Sequence, residues 1–368
     1  MKGLILSGGS GTRLRPITHT SAKQLVPVAN KPILFYGIED LAEAGITEIG
    51  IIVGDTAEEI RSAVGDGSRW GVEVTYLTQD EPRGLAHAVL IARDFLGDDD
   101  FVMYLGDNLI RQGVKEFVEA FEADRRAADT PTLDASPRPP SAQILLSRVP
   151  DAERFGVVSL DDEGNVERLV EKPENPPSDL ALVGVYLFDS SIHAAVRQIR
   201  PSARGELEIT DAIQWLIDHG HKVRHEVLEG WWKDTGKLEP LLEGNRLVLE
   251  AIQTSIEGTV DEGSRIEGRV VIQKGAEVVN SHIRGPAIIG ERTRIVDSYV
   301  GPYTSVHDDC VVRGTELEHS IVLEESQLLD LPRVVDSLVG KQVVACRRAT
   351  RPAAIRLMLG DHSRVEID

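Results

Sequence analysis

The sequence predicts an α/β protein in which a mostly parallel, mixed sheet is followed by a β-helix of hexapeptide repeats. Three observations predict this fold class. Short apolar strands alternate with helical segments from residue 1 to about residue 111. From about residue 255, an aliphatic residue recurs every five or six positions. The chain has 368 residues, more than a single hydrophobic core usually organises, so at least two domains are expected.

The N-terminal alternation comes from two kinds of apolar pattern. Strands are predicted at 4–6, 48–54, 72–77 and 101–105, and helices at 33–44, 58–64 and 85–95. Such alternation indicates a largely parallel sheet with helices on both faces. Ligands of these sheets bind beyond the carboxyl ends of the strands. Gly8 and Asp107 each follow such an end.

The middle of the chain shows a change of composition. Residues 124–141 carry several prolines and few large apolar side chains, which predicts a surface loop. Strands resume at 143–146, 156–160 and 182–188, and the polar segment 161–165 predicts a hairpin turn. Residues 239–252 have helical spacing and are expected to join two domains.

The C-terminal third has the six-residue period of a β-helix. Its aliphatic positions are Val260, Ile266, Ile272, Val278, Ile283, Ile289, Ile295, Val300, Val306, Val312 and Leu317. Steps of five or six, with three steps per coil, are typical of hexapeptide repeats. We therefore predict a first domain at 1–240, a linker helix at 241–254, the β-helix at 255–330 and a terminal cap at 331–368.

Composition and charge exclude several functions. The net charge of -20 disfavours nucleic acid and anionic membranes as partners. The chain contains no apolar run long enough to span a bilayer. The apolar N-terminal stretch is shorter than a signal-peptide core and runs into glycines, so a cytoplasmic protein is expected. The cysteines, Cys310 and Cys346, form no CxxC pair that would indicate zinc or redox chemistry.

The first 38 residues are basic although the chain is acidic. They contain no acid, and their cations are Lys2, Arg13, Arg15, Lys23 and Lys31. A Gly-rich segment at 8–16 follows the first strand, and successive glycines let backbone N–H groups converge on a phosphate. Arg13 offers a bidentate fork for phosphate oxygens, and Lys23 offers a point charge. The segment therefore predicts a site for a small phosphate-bearing anion.

Two common phosphate motifs do not fit this segment. A P-loop requires Gly-Lys followed by Ser or Thr, which is absent here. A dinucleotide fingerprint requires a third glycine where this chain has Leu14.

The sequence GGSGTRLRP at 8–16, followed by SAKQLVPVANKP at 21–32, resembles the signature of the sugar-1-phosphate nucleotidylyltransferases. The resemblance is strongest to long-form glucose-1-phosphate thymidylyltransferases, which carry a C-terminal β-helix. Further motifs in the same order are YLGDN at 104–108, FGVV at 155–158, EKP at 171–173, GELEITD at 205–211 and WKDTG at 232–236. The match covers most of the chain.

The resemblance implies a fold and a reaction. The expected fold is a Rossmann-like nucleotidyltransferase domain followed by a left-handed β-helix. The expected reaction joins dTTP to α-D-glucose 1-phosphate, giving dTDP-glucose and pyrophosphate, with Mg²⁺ as cofactor. The sugar phosphate is already an anion at neutral pH, so an in-line attack on the α-phosphorus needs no general base. The expected partners are these small molecules, and a homo-oligomer is also expected.

The resemblance also implies roles for individual residues. The expected catalytic residues are Arg13, Lys23 and Lys172, and the expected Mg²⁺ ligands are Asp107 and Asp234. Nucleotide binding is expected from Leu6, Gly8, Gly9, Gly11, Thr12, Arg13, Gln24, Gln79, Pro82, Gly84 and Asp107. Sugar-phosphate binding is expected from Leu85, Asn108, Gly156, Glu171, Lys172, Val183, Tyr186, Glu206 and Trp232. The amide of Gln79 has a donor and an acceptor, which suits the imide edge of thymine or uracil.

Three alternatives stay open. Uridylyl transfer is the nearest, because uracil differs from thymine by one methyl group. A hexapeptide β-helix also occurs in acyltransferases, for which His282, His307 and His319 would be candidate bases. A non-catalytic sensor of sugar nucleotides is the third, and the intact Arg13 and Asp107 argue against it.

Overall fold

The computed structural model describes residues 1–9, 14, 15, 17, 22–128, 139–347, 363 and 365. The chain divides into two units, Met1–Ser10 with Leu34–Trp232 and Gly11–Ile33 with Lys233–Asp368. None of the helices in the described part of the chain combines the length and the apolar character that a bilayer crossing requires.

The chain up to residue 249 contains both helices and strands. In chain order the elements are β1 (Lys2–Leu6), β2 (Pro27–Val28), β3 (Lys31–Pro32), α1 (Ile33–Glu43), β4 (Glu48–Val53), α2 (Ala57–Val64), β5 (Glu73–Thr78), α3 (Leu85–Ile91), α4 (Arg93–Leu96), β6 (Phe101–Leu105), β7 (Asn108–Ile110), α5 (Lys115–Ala128), β8 (Ala142–Arg148), β9 (Gly156–Leu160), β10 (Val166–Glu171), β11 (Leu180–Phe188), α6 (Ile192–Gln198), α7 (Ile209–Asp218), β12 (Val223–Val227), β13 (Trp232–Asp234) and α8 (Leu238–Leu249).

The first unit is built on one mixed sheet. Its strand order is β10-β9-β11-β6-β1-β4-β5, and β8 pairs with both β11 and β12. Strands β6, β1, β4 and β5 are parallel, whereas β11 runs antiparallel to β6, β8 and β9. The predicted α/β fold with a mixed sheet is confirmed, and the parallel alternation ends at β6.

The centre of this sheet is apolar on both faces. All nine residues of β11 are buried, as are Phe101, Val102, Met103 and Tyr104 of β6. A strand covered on both faces is a continuous apolar run rather than an alternating one. In β1, Leu6 pairs with Leu105, and the Gly106 N–H donates to the Leu6 carbonyl at 3.0 Å. The carboxyl ends of β1 and β6 therefore lie side by side.

The expected surface loop at 124–141 is wrong at its start. Helix α5 continues to Ala128, and Arg125 lies within it. The Arg125 guanidinium forms ion pairs with Asp100 at 2.6 Å and Asp189 at 3.2 Å. Alanine and arginine are strong helix formers, and these ion pairs hold the last turn of α5 against the sheet. Residues 129–138 lie outside the described part of the chain.

The second unit contains a stack of short parallel strands. In chain order these are β14 (Ser255–Ile256), β15 (Thr259–Val260), β16 (Arg265–Glu267), β17 (Val270–Ile272), β18 (Glu277–Val279), β19 (His282–Arg284), β20 (Ala287–Ile289), β21 (Arg294–Val296), β22 (Tyr299–Val300), β23 (Thr304–Val306), β24 (Val311–Arg313), β25 (Glu316–Glu318), β26 (Ile321–Val322), β27 (Gln327–Leu329), β28 (Val334–Val335), β29 (Leu338–Val339) and β30 (Val344–Cys346). Every third strand joins the same sheet, which makes three parallel sheets.

The register of these strands explains the sequence period. Val270 pairs with Ala287, and Ala287 pairs with Thr304, so equivalent positions lie one coil apart. Ile283 and Val300 follow the same rule in another sheet, and both are fully buried. Aliphatic side chains from all three sheets form one internal core. This arrangement is consistent with a left-handed β-helix of hexapeptide repeats and confirms the predicted fold class.

The stack continues beyond residue 330, where the aliphatic period was expected to stop. Strands β28, β29 and β30 pair with β25, β26 and β27, and the last of them ends at Cys346. Val334, Val339 and Ala345 pack against the core. The apolar period therefore continues in this last coil, with small side chains at the inward positions. Residues 348–362 of the expected cap lie outside the described residues, and the domain limits stay a proposal.

Asn245 of α8 holds three segments of the second unit together. Its side-chain oxygen accepts from the Ala29 N–H at 2.8 Å and from the Ser305 hydroxyl at 3.0 Å. Its side-chain nitrogen donates to the Tyr303 carbonyl at 3.1 Å. Asn245 is fully buried, and its bond with the buried Ser305 is shielded from water. Helix α8 is therefore packed into this unit through a polar contact that leaves little tolerance for substitution.

We predict that Asn245→Ala destabilises the protein by roughly 2–4 kcal/mol, because the Ala29 N–H, the buried Ser305 hydroxyl and the Tyr303 carbonyl each lose this partner. Thermal unfolding and hydrogen exchange at the Ala29 amide measure the effect. Asn175→Ala, at an exposed position, is the control. An unfolding temperature and an Ala29 exchange rate equal to those of the wild type would contradict the prediction.

Candidate functional site

The carboxyl ends of β1, β4 and β5 bring the start of the Gly-rich segment to Gln79. After β1, the Ser7 N–H donates to the Ile52 carbonyl at 2.9 Å, which extends the parallel pairing by one residue. A Cβ placed on Gly8 would lie 3.1 Å from Gln79 Oε1, and one on Gly54 would lie 3.1 Å from the Gly8 carbonyl oxygen. The chain thus passes between two strand ends where a side chain would crowd it. Gly9 is exposed, and Gly11, Thr12 and Arg13 lie outside the described residues.

Gln79 is anchored at its backbone and at its side chain. Its N–H donates to the Val53 carbonyl at 2.8 Å, which continues the pairing of β4 with β5. Its side-chain Nε2 lies 3.0 Å from Nδ1 of His87, the third residue of α3. Sequence reasoning selected Gln79 but not His87. The missed indication was a single polar residue in the first turn of a helix that otherwise carries only aliphatic side chains.

Gly84 is required by a close approach of two backbones. Its φ is +99°, and a Cβ would lie 2.4 Å from the Leu207 carbonyl oxygen. The Leu207 N–H donates to the Arg83 carbonyl at 2.8 Å, and the Ala86 N–H donates to the Leu207 carbonyl at 3.0 Å. The segment before α3, which begins with the exposed Pro82 and leads to the partly buried Leu85, is thereby fixed to the motif at 205–211. The sequence resemblance assigned Gly84 only to nucleotide binding and did not predict this packing reason.

Four of the expected sugar-phosphate residues gather around one arginine. The Arg204 guanidinium lies 3.3 Å from Glu171 Oε1 and 2.9 Å from Glu206 Oε1, and the Lys172 ammonium lies 3.4 Å from the same oxygen of Glu171. A Cβ on Gly156 would lie 3.0 Å from Glu171 Oε2. The structure therefore brings Gly156, Glu171, Lys172 and Glu206 together in one cluster, which we call the arginine cluster.

Arg204 was missed by sequence reasoning although it directly precedes Gly205 and Glu206. It also lies 3.5 Å from Glu208, whose pKa is raised mainly by burial. Burial and then the nearby Glu171 raise the pKa of Asp211 in the same way. Three carboxylates thus contact the Arg204 guanidinium, and the available indication in the sequence was the acids that closely follow Arg204.

The backbone of Lys172 is held in a conformation that most residues avoid. Its φ is +42°, in the left-handed region. Its N–H donates to the Phe155 carbonyl at 2.9 Å, which fixes the turn after β10. Conformational strain of this kind persists only where the surrounding structure imposes it, and it is frequent at functional sites.

Trp232 and Asn108 form a second group near Asp107. The Trp232 indole N–H donates to Asn108 Oδ1, and Asn108 Nδ2 donates to Asp107 Oδ1 at 3.2 Å. The Trp232 ring meets Phe155 edge to face at a centroid distance of 5.2 Å. The Trp232 side chain therefore lies between Asn108 and Phe155.

Strand β11 is irregular next to this group. Its pairing with β8 shifts register between Leu182 and Tyr186. Gly184 in this bulge has φ +87°, and a Cβ there would lie 3.1 Å from Asn108 Nδ2. Val183 is fully buried, and Tyr186 stacks on Phe188 within the core. The bulge at Gly184 therefore leaves space for the Asn108 side chain.

Lys23, Gln24 and Asp234 belong to the second unit. Lys23 and Gln24 start a short 3-10 turn, and the Gln24 amide is buried. Asp234 ends β13, and its Oδ1 accepts from the Gly236 N–H at 3.0 Å. A Cβ on Gly236 would lie 3.0 Å from Asp234 Oδ1 and 3.5 Å from Lys23 Nζ. The ammonium and the carboxylate thus approach the same glycine.

The described residues contain no cluster of three or more His, Cys, Asp or Glu side chains that could hold a metal ion. The expected metal ligands, Asp107 and Asp234, are only two side chains, whereas such a cluster has at least three. Asp107 lies in the first unit and Asp234 in the second.

The three β-helix histidines each have a separate partner. His282 Nε2 lies 3.2 Å from Glu267, and His319 Nδ1 lies 2.6 Å from Asp336. His307 Nδ1 accepts from the Asp308 N–H at 2.8 Å. A polar groove of about 650 Å³ borders His282 and Tyr299. The described contacts do not join the three histidines into one site.

The nucleotidyl transferase family model matches residues 2–251. The chain is 57% identical over 367 residues to a glucose-1-phosphate thymidylyltransferase of Streptomyces antibioticus, covering 100% of this chain and 99% of that one. It is 47% identical to a low-salt glycan biosynthesis nucleotidyltransferase of Haloferax volcanii, over the full length of both. A solved Bacillus anthracis structure, provisionally described as a glucose-1-phosphate thymidylyltransferase and bound to a sucrose, is also similar. It has a TM-score of 0.61 and 36% identity and covers 69% of this chain and 97% of its own.

The family model covers residues 2–251, and the similarity to the Streptomyces relative extends through the β-helix. The identity over the whole length is far above the level at which folds diverge. The chain belongs to the nucleotidyl transferase family.

Proposed function

We propose that this protein transfers a thymidylyl group from dTTP to α-D-glucose 1-phosphate, giving dTDP-glucose and releasing pyrophosphate. The observation that carries the proposal is the 57% identity, over the whole chain, to the glucose-1-phosphate thymidylyltransferase of Streptomyces antibioticus. The geometry supports it with two groups of side chains suited to two different phosphate-bearing substrates. The cytoplasmic location and the homo-oligomeric state remain predictions from the sequence.

The proposed nucleotide side begins at the end of β1. Gly8 and Gly9 would offer backbone N–H groups to the triphosphate, and Gly11, Thr12 and Arg13 are proposed to bind it with them. Leu6 and the buried Gln24 would complete the contacts. Gln79, which lies against Gly8, would face the base, and Pro82 and Gly84 would border it.

The proposed sugar-phosphate side is the arginine cluster. Lys172 and Arg204 bring two cations to the carboxylates of Glu171 and Glu206. An incoming phosphate would compete for these cations and free the carboxylates to accept hydrogen bonds from the sugar hydroxyls. The planar guanidinium of Arg204 suits bidentate contact with a phosphate, which makes it a fourth cation to add to Arg13, Lys23 and Lys172.

Asp107 and Asp234 fit the chemistry of a magnesium ligand. Carboxylate oxygens are hard donors, and Mg²⁺ in nucleotide enzymes is usually held by one or two carboxylates with phosphate oxygens and water. Asn108 donates to Asp107 and the Gly236 N–H donates to Asp234, so one oxygen of each carboxylate is oriented. When bound, the ion would neutralise phosphate charge.

The chain's own contribution to the reaction is positioning and charge. The sugar phosphate is the nucleophile and is already ionised, so no side chain has to remove a proton. Lys172 and Arg204 would orient it for in-line attack on the α-phosphorus. Lys23 and Arg13 would stabilise the charge that develops there and on the leaving pyrophosphate.

Pyrophosphate release across a matrix of nucleoside triphosphates and sugar 1-phosphates tests the reaction. We expect dTTP with glucose 1-phosphate to give the highest kcat/KM. The kcat/KM with UTP should be lower by about tenfold or more, because uracil lacks the methyl group of thymine and its contact. Higher kcat/KM with UTP would establish the uridylyl alternative instead. No pyrophosphate release with any pair of substrates would refute nucleotidyl transfer.

We predict that Asp107→Asn and Lys23→Ala each lower kcat by roughly 10²–10³, because each removes charge stabilisation at the transferred phosphate. Steady-state pyrophosphate release measures the effect. Lys115→Ala, an exposed residue near Glu119, is the matched control for loss of a lysine. Turnover near the wild-type value in both variants would contradict the assigned roles.

We predict that Arg204→Gln raises the KM for glucose 1-phosphate by about 10- to 100-fold, because a charge-assisted contact to phosphate is lost. The KM for dTTP should change little. Arg148→Gln, which removes an exposed arginine paired with Asp179, is the control. A rise in the KM for dTTP alone would place Arg204 with the other substrate.

A further inference from the structure

The side-chain amide of Gln79 can present either its oxygen or its nitrogen to a base. We propose that His87 is a positioning residue that turns the amide so that the oxygen reads the base, which makes the site select thymine or uracil over cytosine. This inference rests on the proposed function, and it adds a determinant of specificity to it.

The contacts of Gln79 define two sides of the amide. Nε2 faces His87 Nδ1 at 3.0 Å, on the side of helix α3. Oε1 faces the end of β1, where a Cβ on Gly8 would approach it to 3.1 Å. The missing side chain of Gly8 therefore leaves the oxygen side open, while the nitrogen side is occupied by the imidazole.

The backbones of both residues are held in place. The Gln79 N–H is bonded to the Val53 carbonyl at 2.8 Å. His87 lies in the first turn of α3, directly after the segment bonded to Leu207 at Arg83 and Ala86. The segment packs directly against the Leu207 backbone, which the missing Cβ of Gly84 permits. This close packing holds the start of α3 in place. His87 and Gln79 therefore meet at a fixed distance.

The electrostatic surroundings favour a neutral imidazole. Burial lowers the pKa of His87, the positive charge of Arg83 lowers it further, and Glu81 opposes them. A neutral imidazole has one ring nitrogen with a free lone pair. With Nδ1 as that nitrogen, His87 accepts a hydrogen bond from the side-chain Nε2 of Gln79, and the amide oxygen points away from the imidazole.

The oxygen distinguishes the pyrimidines by the group at their N3 position. Thymine and uracil have an N3–H that can donate to the Gln79 oxygen, whereas N3 of cytosine is an acceptor. An oxygen held against another acceptor leaves both without a donor, and sites built in this way reject the mismatched base strongly. Without His87, the amide is free to rotate and donate its N–H to cytosine N3.

The test compares dTTP, UTP and dCTP as substrates, with glucose 1-phosphate held at saturation. In His87→Leu we expect the ratio of kcat/KM for dTTP to that for dCTP to fall about tenfold or more. The KM for glucose 1-phosphate should stay at the wild-type value. His87→Asn, whose side-chain oxygen lies close to the position of the imidazole Nδ1, should restore most of the ratio.

A double-substitution cycle separates positioning from a structural effect. In a Gln79→Ala background, His87→Leu should cause no further change in the dTTP to dCTP ratio, because the amide that it orients is gone. An equal loss with both nucleotides, leaving the ratio unchanged in His87→Leu, would overturn the inference.

Measurements on the wild-type enzyme distinguish a failure of this inference from a failure of the proposed function. Thymidylyl transfer without preference over dCTP would overturn the role of His87 while the reaction stands. No pyrophosphate from any pyrimidine triphosphate with any sugar 1-phosphate would refute the reaction itself.

Discussion

The arrangement of the first unit depends on the parallel pairing of β1 between β4 and β6. Leu4 pairs with Gly50 on one side and Met103 on the other, and this centre of the sheet is closed to water. Because the three strands run in the same direction, their carboxyl ends open at one edge. The Gly-rich segment and Asp107 each continue from one of these strands, and Gln79 follows the next strand, β5. One set of backbone hydrogen bonds thus assembles residues that are a hundred positions apart in the chain.

Glycine governs how closely the surrounding segments approach. At Gly8 the missing Cβ leaves room beside the Gln79 amide, and at Gly84 it lets the helix start lie against the Leu207 backbone. At Gly156 it admits the Glu171 carboxylate, and at Gly184 it admits Asn108. At Gly84, Gly156 and Gly184, packing alone already requires glycine. Polar side chains are thereby oriented before any substrate binds, which reduces the ordering cost that binding incurs.

The second unit uses a different kind of order. Its strands are too short to be stable alone, and each coil is stabilised by the coils above and below it. Polar side chains repeat this ladder at the corners, where Arg292 bonds Asp309 and Asn280 bonds Asp297 one coil further on. Asn245 then connects α8 and Ala29 to the same stack. A single buried amide thus joins the segment that leads from Lys23 to the repetitive core.

The sequence by itself determined the strand-helix alternation, the six-residue period and the motif residues, because these are local patterns set by backbone geometry and side-chain spacing. It did not predict that α5 reaches Ala128, since the ion pairs of Arg125 join residues distant in the chain. The sequence did not predict the roles of Arg204 and His87, for the same reason. One lies among carboxylates from separate segments, and the other bonds a glutamine eight positions away across a loop. Only the tertiary structure decided these contacts, because hydrogen bonds and charge pairs depend on distances that folding creates.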